Sequence, residues 1–298
     1  MYHKYNNGNY TVFINDDDGT KIRVQYDKSA DFEAEFPESI DINIGRRCDG
    51  GCQFCYEGAT PDGPEADLTD IPFLDSLRPY TEVAINGNSI EHPQLIQFLE
   101  ELNRRNIFAN LTINQIHFER KLDLIRELVD RWLICGLGVS LRKPTAEFIA
   151  SAKKFPNLVV HTIAGVHGRA DYEALKGSGL KVLVLGYKAK GRGYDYLVSN
   201  MDHMAQNMEW LRNNLQGMIA DDAYKLISFD NLALEQLRVK DLVPPEKWEQ
   251  FYLGDDGQYT FYVDLVDKTF GKSSLVPKEE MMPLLTDVAE MLKVVKQK

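Results

Sequence analysis

Apolar and polar positions alternate through Tyr10-Thr-Val-Phe-Ile-Asn and again through Thr20-Lys-Ile-Arg-Val-Gln-Tyr. The turn-forming run Asp16-Asp-Asp-Gly19 separates them, which predicts a β-hairpin over residues 10–26. Short apolar runs then recur at Ser39–Ile44, Glu82–Ile85, Phe108–Ile113, Ile134–Leu141, Leu158–Ala164, Lys181–Leu185 and Lys225–Phe229. Between them lie helical patterns. Leu95, Phe98, Leu99 and Leu102 share one face, and Leu122, Leu124, Ile125, Leu128 and Val129 share another. Strands alternating with helices imply parallel strands joined by right-handed crossovers. This many units in succession predict an α/β fold, a partial or near-complete (β/α) barrel, with chemistry on the loops after the strands. After about residue 240 the rhythm changes. Leu253–Val266 carries another alternating strand behind a turn, and a last amphipathic helix is expected from about Lys278. The expected organisation is a β-hairpin extension over 1–37, the barrel over 38–240, and a strand and helix over 241–298 packed on it.

Composition narrows the function. Hydrophobic residues at 44% provide for a sizeable core, and a net charge of −11 argues against general nucleic-acid binding, while leaving room for a local basic pocket. The opening Met1-Tyr-His-Lys-Tyr-Asn lacks the apolar core of a signal peptide, and no run of about 18 apolar residues suggests a membrane span. Of four cysteines, three crowd into Cys48-x3-Cys52-x2-Cys55, which in a reducing compartment points to metal or redox chemistry. A cytoplasmic protein is expected.

The cysteines directly follow the first strand of the barrel. Three thiolates on one tight loop hold three irons of a cubane cluster and leave the fourth iron open, as catalysis requires. Gly50 and Gly51 ease the loop's curvature. The residues alone leave alternatives open. Structural zinc would need Cys135 or His92 as fourth ligand, although no second close ligand pair exists. A thioredoxin-like use of Cys52 and Cys55 would leave Cys48 idle. By itself, Cys135 fits an inert position in an apolar strand.

The spacing, with Phe54 just before the third cysteine, resembles the radical S-adenosylmethionine (SAM) superfamily. The resemblance implies a [4Fe–4S] cluster on Cys48, Cys52 and Cys55 and SAM as the second cofactor, with Phe54 near its adenine. Asn86-Gly-Asn-Ser-Ile-Glu-His-Pro93 is similar to the family's Gly-Gly-Glu-Pro segment, which binds the amino group of SAM. Gly87 matches it, and Asn88 stands where glutamate is usual, offering an amide oxygen with less attraction for an ammonium group. Asn114 ends the third strand where the family often has a Thr-Asn pair. Ser140 matches a serine near the SAM carboxylate or ribose, and Arg142 offers paired donors to a carboxylate. Gly165 and Leu185 lie where strand backbones usually flank the adenosine.

The resemblance also implies an activity. SAM is cleaved reductively to a 5′-deoxyadenosyl radical that abstracts hydrogen, with electrons from a flavodoxin- or ferredoxin-type donor. No cysteine lies beyond Cys135, so one cluster is expected, which favours a small-molecule or nucleotide substrate over a peptide or protein. A zinc-stabilised binding module is the reading from another class. Candidate substrate residues are Lys188, Arg192, Asp230 and Tyr262. Lys188, Lys190 and Arg192 form either an anion-binding loop or a solvated one. Asp230 binds substrate or caps the helix that follows.

Overall fold

The structure, a computed structural model, describes all residues except Asp18, Lys28, Gly87, Asn88 and Lys298, together with the side chain of Ser89. The expected features at Gly87 and Asn88 therefore lie outside the described residues.

The chain opens with β1 (Tyr2–Asn7), β2 (Tyr10–Asn15) and β3 (Lys21–Val24), an antiparallel sheet in which β2 is central. The hairpin pattern identified β2 and β3. It missed β1, whose polar, largely exposed Tyr-His-Lys-Tyr-Asn-Asn becomes a strand by pairing with β2 from Tyr2↔Asn15 to Asn7↔Tyr10.

The barrel units follow in order. They comprise β4 (Ser39–Asn43), β5 (Glu82–Asn86), α1 (Leu95–Arg104), β6 (Phe108–Asn114), α2 (Gln115–Arg120), α3 (Leu122–Asp130) and β7 (Gly136–Ser140). Next come α4 (Ala146–Ala152), β8 (Leu158–Ile163), α5 (Arg169–Leu175), β9 (Lys181–Leu185), α6 (Arg192–Ala220), β10 (Leu226–Phe229) and α7 (Asn231–Gln236). The chain ends with α8 (Pro245–Phe251), β11 (Thr260–Asp264), β12 (Thr269–Gly271), β13 (Met282–Pro283) and α9 (Val288–Lys296).

Strands β10-β9-β8-β7-β6-β5-β4-β11 form one continuous parallel sheet, and β12 and β13 extend it antiparallel. Among the described residues β10 and β13 do not pair, so the barrel is open. Residues Ile40, Ile42, Val83, Ile85, Leu111, Val139, Val160, Val182 and Val184 are buried beneath the helices. The alternate positions face the barrel's interior, as strand period two requires.

Two expectations about the C-terminal segment are corrected. Strand β11 is part of the barrel sheet, parallel to β4 from Thr260↔Ser39 to Asp264↔Asn43. The last helix starts at Val288, capped by the Asp287 carboxylate accepting from the N–H groups of Ala289 and Glu290. Lys278–Glu280 makes only a short 3-10 turn after Pro277, and Met282–Pro283 is drawn into the sheet as β13. Among the described residues no helix is long and apolar enough to cross a membrane.

The N-terminal sheet closes the barrel at the strands' N-terminal ends. Lys21 pairs with Glu82 of β5, Asn157 Nδ2 donates to the carbonyl of Asp17 at 2.7 Å, and the His3 ring stacks on Tyr80 at 4.3 Å.

Candidate active site

The cysteine loop leaves β4 at the barrel's C-terminal end and is fixed before any cofactor is considered. Backbone bonds run from Cys48 N–H to the Thr60 carbonyl at 2.8 Å, from Thr60 N–H to Arg46 and from Arg46 N–H to Pro64. This ladder packs so closely at Gly63 that an added Cβ would lie 2.1 Å from the Arg46 carbonyl oxygen. Gly51 takes φ +62°, the left-handed conformation glycine adopts at no steric cost. Arg46 itself is held by Asp264, by Asp267 at 2.9 Å and by Glu57 at 3.4 Å, joining the loop's base to the end of β11.

Side chains from distant elements then hold the loop from above and below. Asp49 accepts from His117 Nε2 at 2.6 Å and from Arg120 at 2.7 Å, fastening the loop to α2. These partners hold the Asp49 carboxyl down at about 2. Arg142 donates to the Gly50 carbonyl at 3.3 Å, and Arg192 donates to the carbonyls of Cys52 at 3.2 Å and Ala59 at 2.8 Å. Gly191 and Gly193 let the loop after β9 press on the cysteine loop. A Cβ on Gly191 would sit 2.5 Å from the Tyr56 carbonyl oxygen, and its φ of +56° with ψ of −138° is a glycine conformation.

Cys48, Cys52 and Cys55 are free thiols, and all line one cavity of about 640 Å³ inside the barrel. That volume falls within the range of small-ligand sites. Burial pushes the Cys48 and Cys52 thiols up, and the neighbouring thiols add repulsion. A cationic metal centre is what offsets both costs. Donors for sulfur are in place, the Gly50 N–H at 3.3 Å from Cys48 Sγ and the Asn114 amide at 3.2 Å from Cys52 Sγ. Three free thiols on one rigid loop, with N–H groups aimed at two of them, fit a [4Fe–4S] cluster that keeps one open iron.

Neither residue expected as a fourth zinc ligand is placed to serve. Both ring nitrogens of His92 are used, on the Ala66 carbonyl and the Gln94 N–H. Cys135 lies just before β7, at the opposite end of the parallel sheet from the cysteine loop. It is not buried within the core as expected; it lines the far end of the cavity, where burial raises its thiol to about 11.

The expected SAM-binding residues divide. Phe54, Asn114, Ser140 and Leu185 line the cavity, with the Phe54 ring edge-on to Tyr196 at 5.7 Å. Arg142 contacts the cysteine loop as described. Gly165, with φ +84°, packs against Met204 and Met208 of α6 and accepts from Asn207, away from the cavity lining.

Of the candidate substrate residues, Lys188 and Asp230 line the cavity and Arg192 and Tyr262 do not. Tyr262 is buried on β11 with its hydroxyl 3.4 Å from Asp264. The Lys188–Arg192 loop is neither a vacant anion site nor a solvated surface. Lys188 donates to Ser274 Oγ at 2.8 Å and lies over the Tyr56 ring at 4.3 Å, Lys190 donates to the Ser274 carbonyl, and Arg192 is spent on the cysteine loop. Asp230 is a cap, accepting from Ala233 N–H at 2.7 Å and also from Gly186 N–H at 2.8 Å.

Asp41 of β4 and His161 of β8 also line the cavity, and sequence reasoning gave neither a role there. The available signal was a titratable residue inside an apolar run, at the strand position that alternates away from the helices.

No protein-family model matches this sequence, and no curated protein matches it. Solved structures do. The structure of Streptococcus suis SuiB bound to S-adenosylmethionine superposes with a TM-score of 0.59 over 98% of this chain and 86% of that one, at 11% identity. SuiB bound to the precursor peptide SuiA gives 0.54 over 91% and 82%, at 10% identity. With the cysteine loop at the mouth of an open parallel barrel, the chain shares the fold of SuiB.

Proposed function

We propose that this protein is a radical SAM enzyme acting on a peptide. The single observation that carries the first part is the convergence of three free thiols, on one braced loop, at the mouth of a barrel cavity. Cys48, Cys52 and Cys55 would hold the [4Fe–4S] cluster, which when bound supplies the electron that cleaves SAM to methionine and a 5′-deoxyadenosyl radical. The chain's own residues bind, orient and shield. Asn114 donates to the Cys52 sulfur, and Phe54, Ser140 and Leu185 supply cavity wall for SAM. The N-terminal sheet closes the lower end of the barrel, limiting the access of water to a reactive radical.

The similarity to a protein crystallised with a precursor peptide favours a peptide over the small-molecule or nucleotide substrate suggested by the missing auxiliary cysteines. An electron donor of flavodoxin or ferredoxin type belongs to the same reading.

The test is anaerobic reconstitution with iron and sulfide, reduction by dithionite, addition of SAM and chromatography for 5′-deoxyadenosine. The product is expected from the wild type and lost when Cys48, Cys52 and Cys55 are all changed to alanine. One tightly bound zinc, no acid-labile sulfide and no product would sink the proposal. For the substrate, a peptide pool is incubated with the reconstituted protein and followed by mass spectrometry. Turnover confined to nucleosides or free metabolites would reject the peptide.

A further inference from the structure

Several charged side chains that face the cavity below the cysteine loop are held within the protein. Glu82 pairs with Lys21 and accepts from Asn110 at 3.2 Å. Asp230 is taken by two backbone N–H groups. Lys188 is held by Ser274 and the Tyr56 ring. Two other groups are not held in this way. Among the described residues, Asp41 has no hydrogen-bond partner and no cationic nitrogen within 4.0 Å, and His161 has no partner on either ring nitrogen.

Their placement is built in. Asp41 sits midway along β4, between the outward-facing Ile40 and Ile42, so its accessible surface opens into the cavity. His161 lies over Gly138, where a Cβ would come within 2.3 Å of the ring, so only glycine lets the imidazole occupy that space. Burial holds His161 down at about 4 and raises Asp41 to about 6, with Lys188 partly offsetting the latter. At neutral pH the histidine is uncharged, and the carboxylate is anionic and open to the cavity.

A carboxylate open to the cavity with no cation against it offers a cationic ligand its charge partner. We infer that the group this cavity takes beneath the cysteine loop is a primary amine in its ammonium form, held by the Asp41 carboxylate. Its charge answers Asp41. This deepens the enzymatic reading and rests on it for the statement that the amine belongs to the substrate.

The experiment uses the full chain, reconstituted anaerobically and supplied with SAM, with n-butylammonium as probe and n-butanol as its uncharged control. Binding is read by saturation-transfer NMR. Saturable binding of n-butylammonium is expected, weakened at least about tenfold in the near-isosteric Asp41→Asn variant, with n-butanol binding far more weakly. Equal binding to Asp41→Asn, equal binding of n-butanol, or no saturable binding to the wild type would each overturn the inference. Circular dichroism of Asp41→Asn and of Asp41→Ser guards against a folding defect, and the inference requires both folded variants to lose the amine. Formation of 5′-deoxyadenosine is measured on the same samples. Its absence from the wild type would remove the radical reading, whereas its presence without amine binding would remove only the amine.

Discussion

Asp230→Ala is expected to lower stability through two backbone groups at once. The carboxylate accepts from Ala233 N–H at 2.7 Å, capping α7, and from Gly186 N–H at 2.8 Å, tying that helix to the end of β9. The helix cannot relax toward β9 to compensate, because Leu232 already lies against Gly186, where a Cβ would be 2.4 Å from Leu232 Cγ. Loss of an N-cap costs about 1 kcal/mol. Leaving the Gly186 N–H without its acceptor adds about 1–3 kcal/mol if water does not replace it. The sum is about 2–4 kcal/mol, or roughly 3–6 °C in Tm for a chain of this size. Thermal unfolding of the cluster-free protein, followed by circular dichroism under reducing conditions, measures it. Asp230→Asn separates capping from charge, since its amide oxygen keeps both acceptor positions and asparagine is as good a cap. Its Tm should stay within about 2 °C of the wild type. If Asp230→Ala left Tm unchanged while Asp230→Asn abolished turnover, the carboxylate would be a substrate ligand and the capping argument would be wrong.

Three further outcomes follow from the same geometry. Asn114→Asp keeps the cap that Asn114 Oδ1 gives Ile116 N–H at 2.9 Å but replaces the donor to Cys52 Sγ with an anion. The protein should therefore fold while the reconstituted cluster's midpoint potential becomes more negative, as spectroscopic redox titration would reveal. Gly191→Ala must displace the Tyr56 carbonyl or leave its left-handed conformation, at roughly 1–3 kcal/mol, and iron and sulfide per chain after reconstitution should drop with it. Full cluster occupancy would show that the loop after β9 does not brace the cysteines. The raised pKa of Asp41, about 6, fixes the sign of a pH effect. Between its ordinary value and 6 the folded state binds the extra proton, so stability falls as pH rises through that window. Asp41→Asn should lack this fall in urea titrations from about pH 4 to pH 7.

The sheet was legible because strands that pack under helices on one face and line the barrel on the other leave apolar runs such as Lys181–Leu185. Strand β1 was not, because most of its side chains are polar and exposed and its conformation comes from β2. For β11 the alternation was visible and the partner was not. Asp264 meets Asn43 across 221 positions of sequence, and nothing local encodes that encounter. The C-terminal helix was misplaced by a run of helix-compatible residues that Pro277 and Pro283 interrupt.

The candidate site divides along the same physical line. Three cysteines within one loop are a local pattern, so spacing alone pointed to them. Arg142 and Arg192 were equally visible as charges, yet their partners are the backbone carbonyls of Gly50, Cys52 and Ala59, which carry no sequence signature. A free guanidinium near a barrel mouth suggests an anion site; once its donors are committed to carbonyls it becomes a brace instead. The same accounting gives Asp41 its interest. A charge is informative about function when the fold has left it unpaired, and pairing is settled only in three dimensions. Lys188, Glu82 and Asp230 all carry charge into the cavity and are all spent within the protein, whereas Asp41 is the carboxylate among them still facing the space where a ligand would lie.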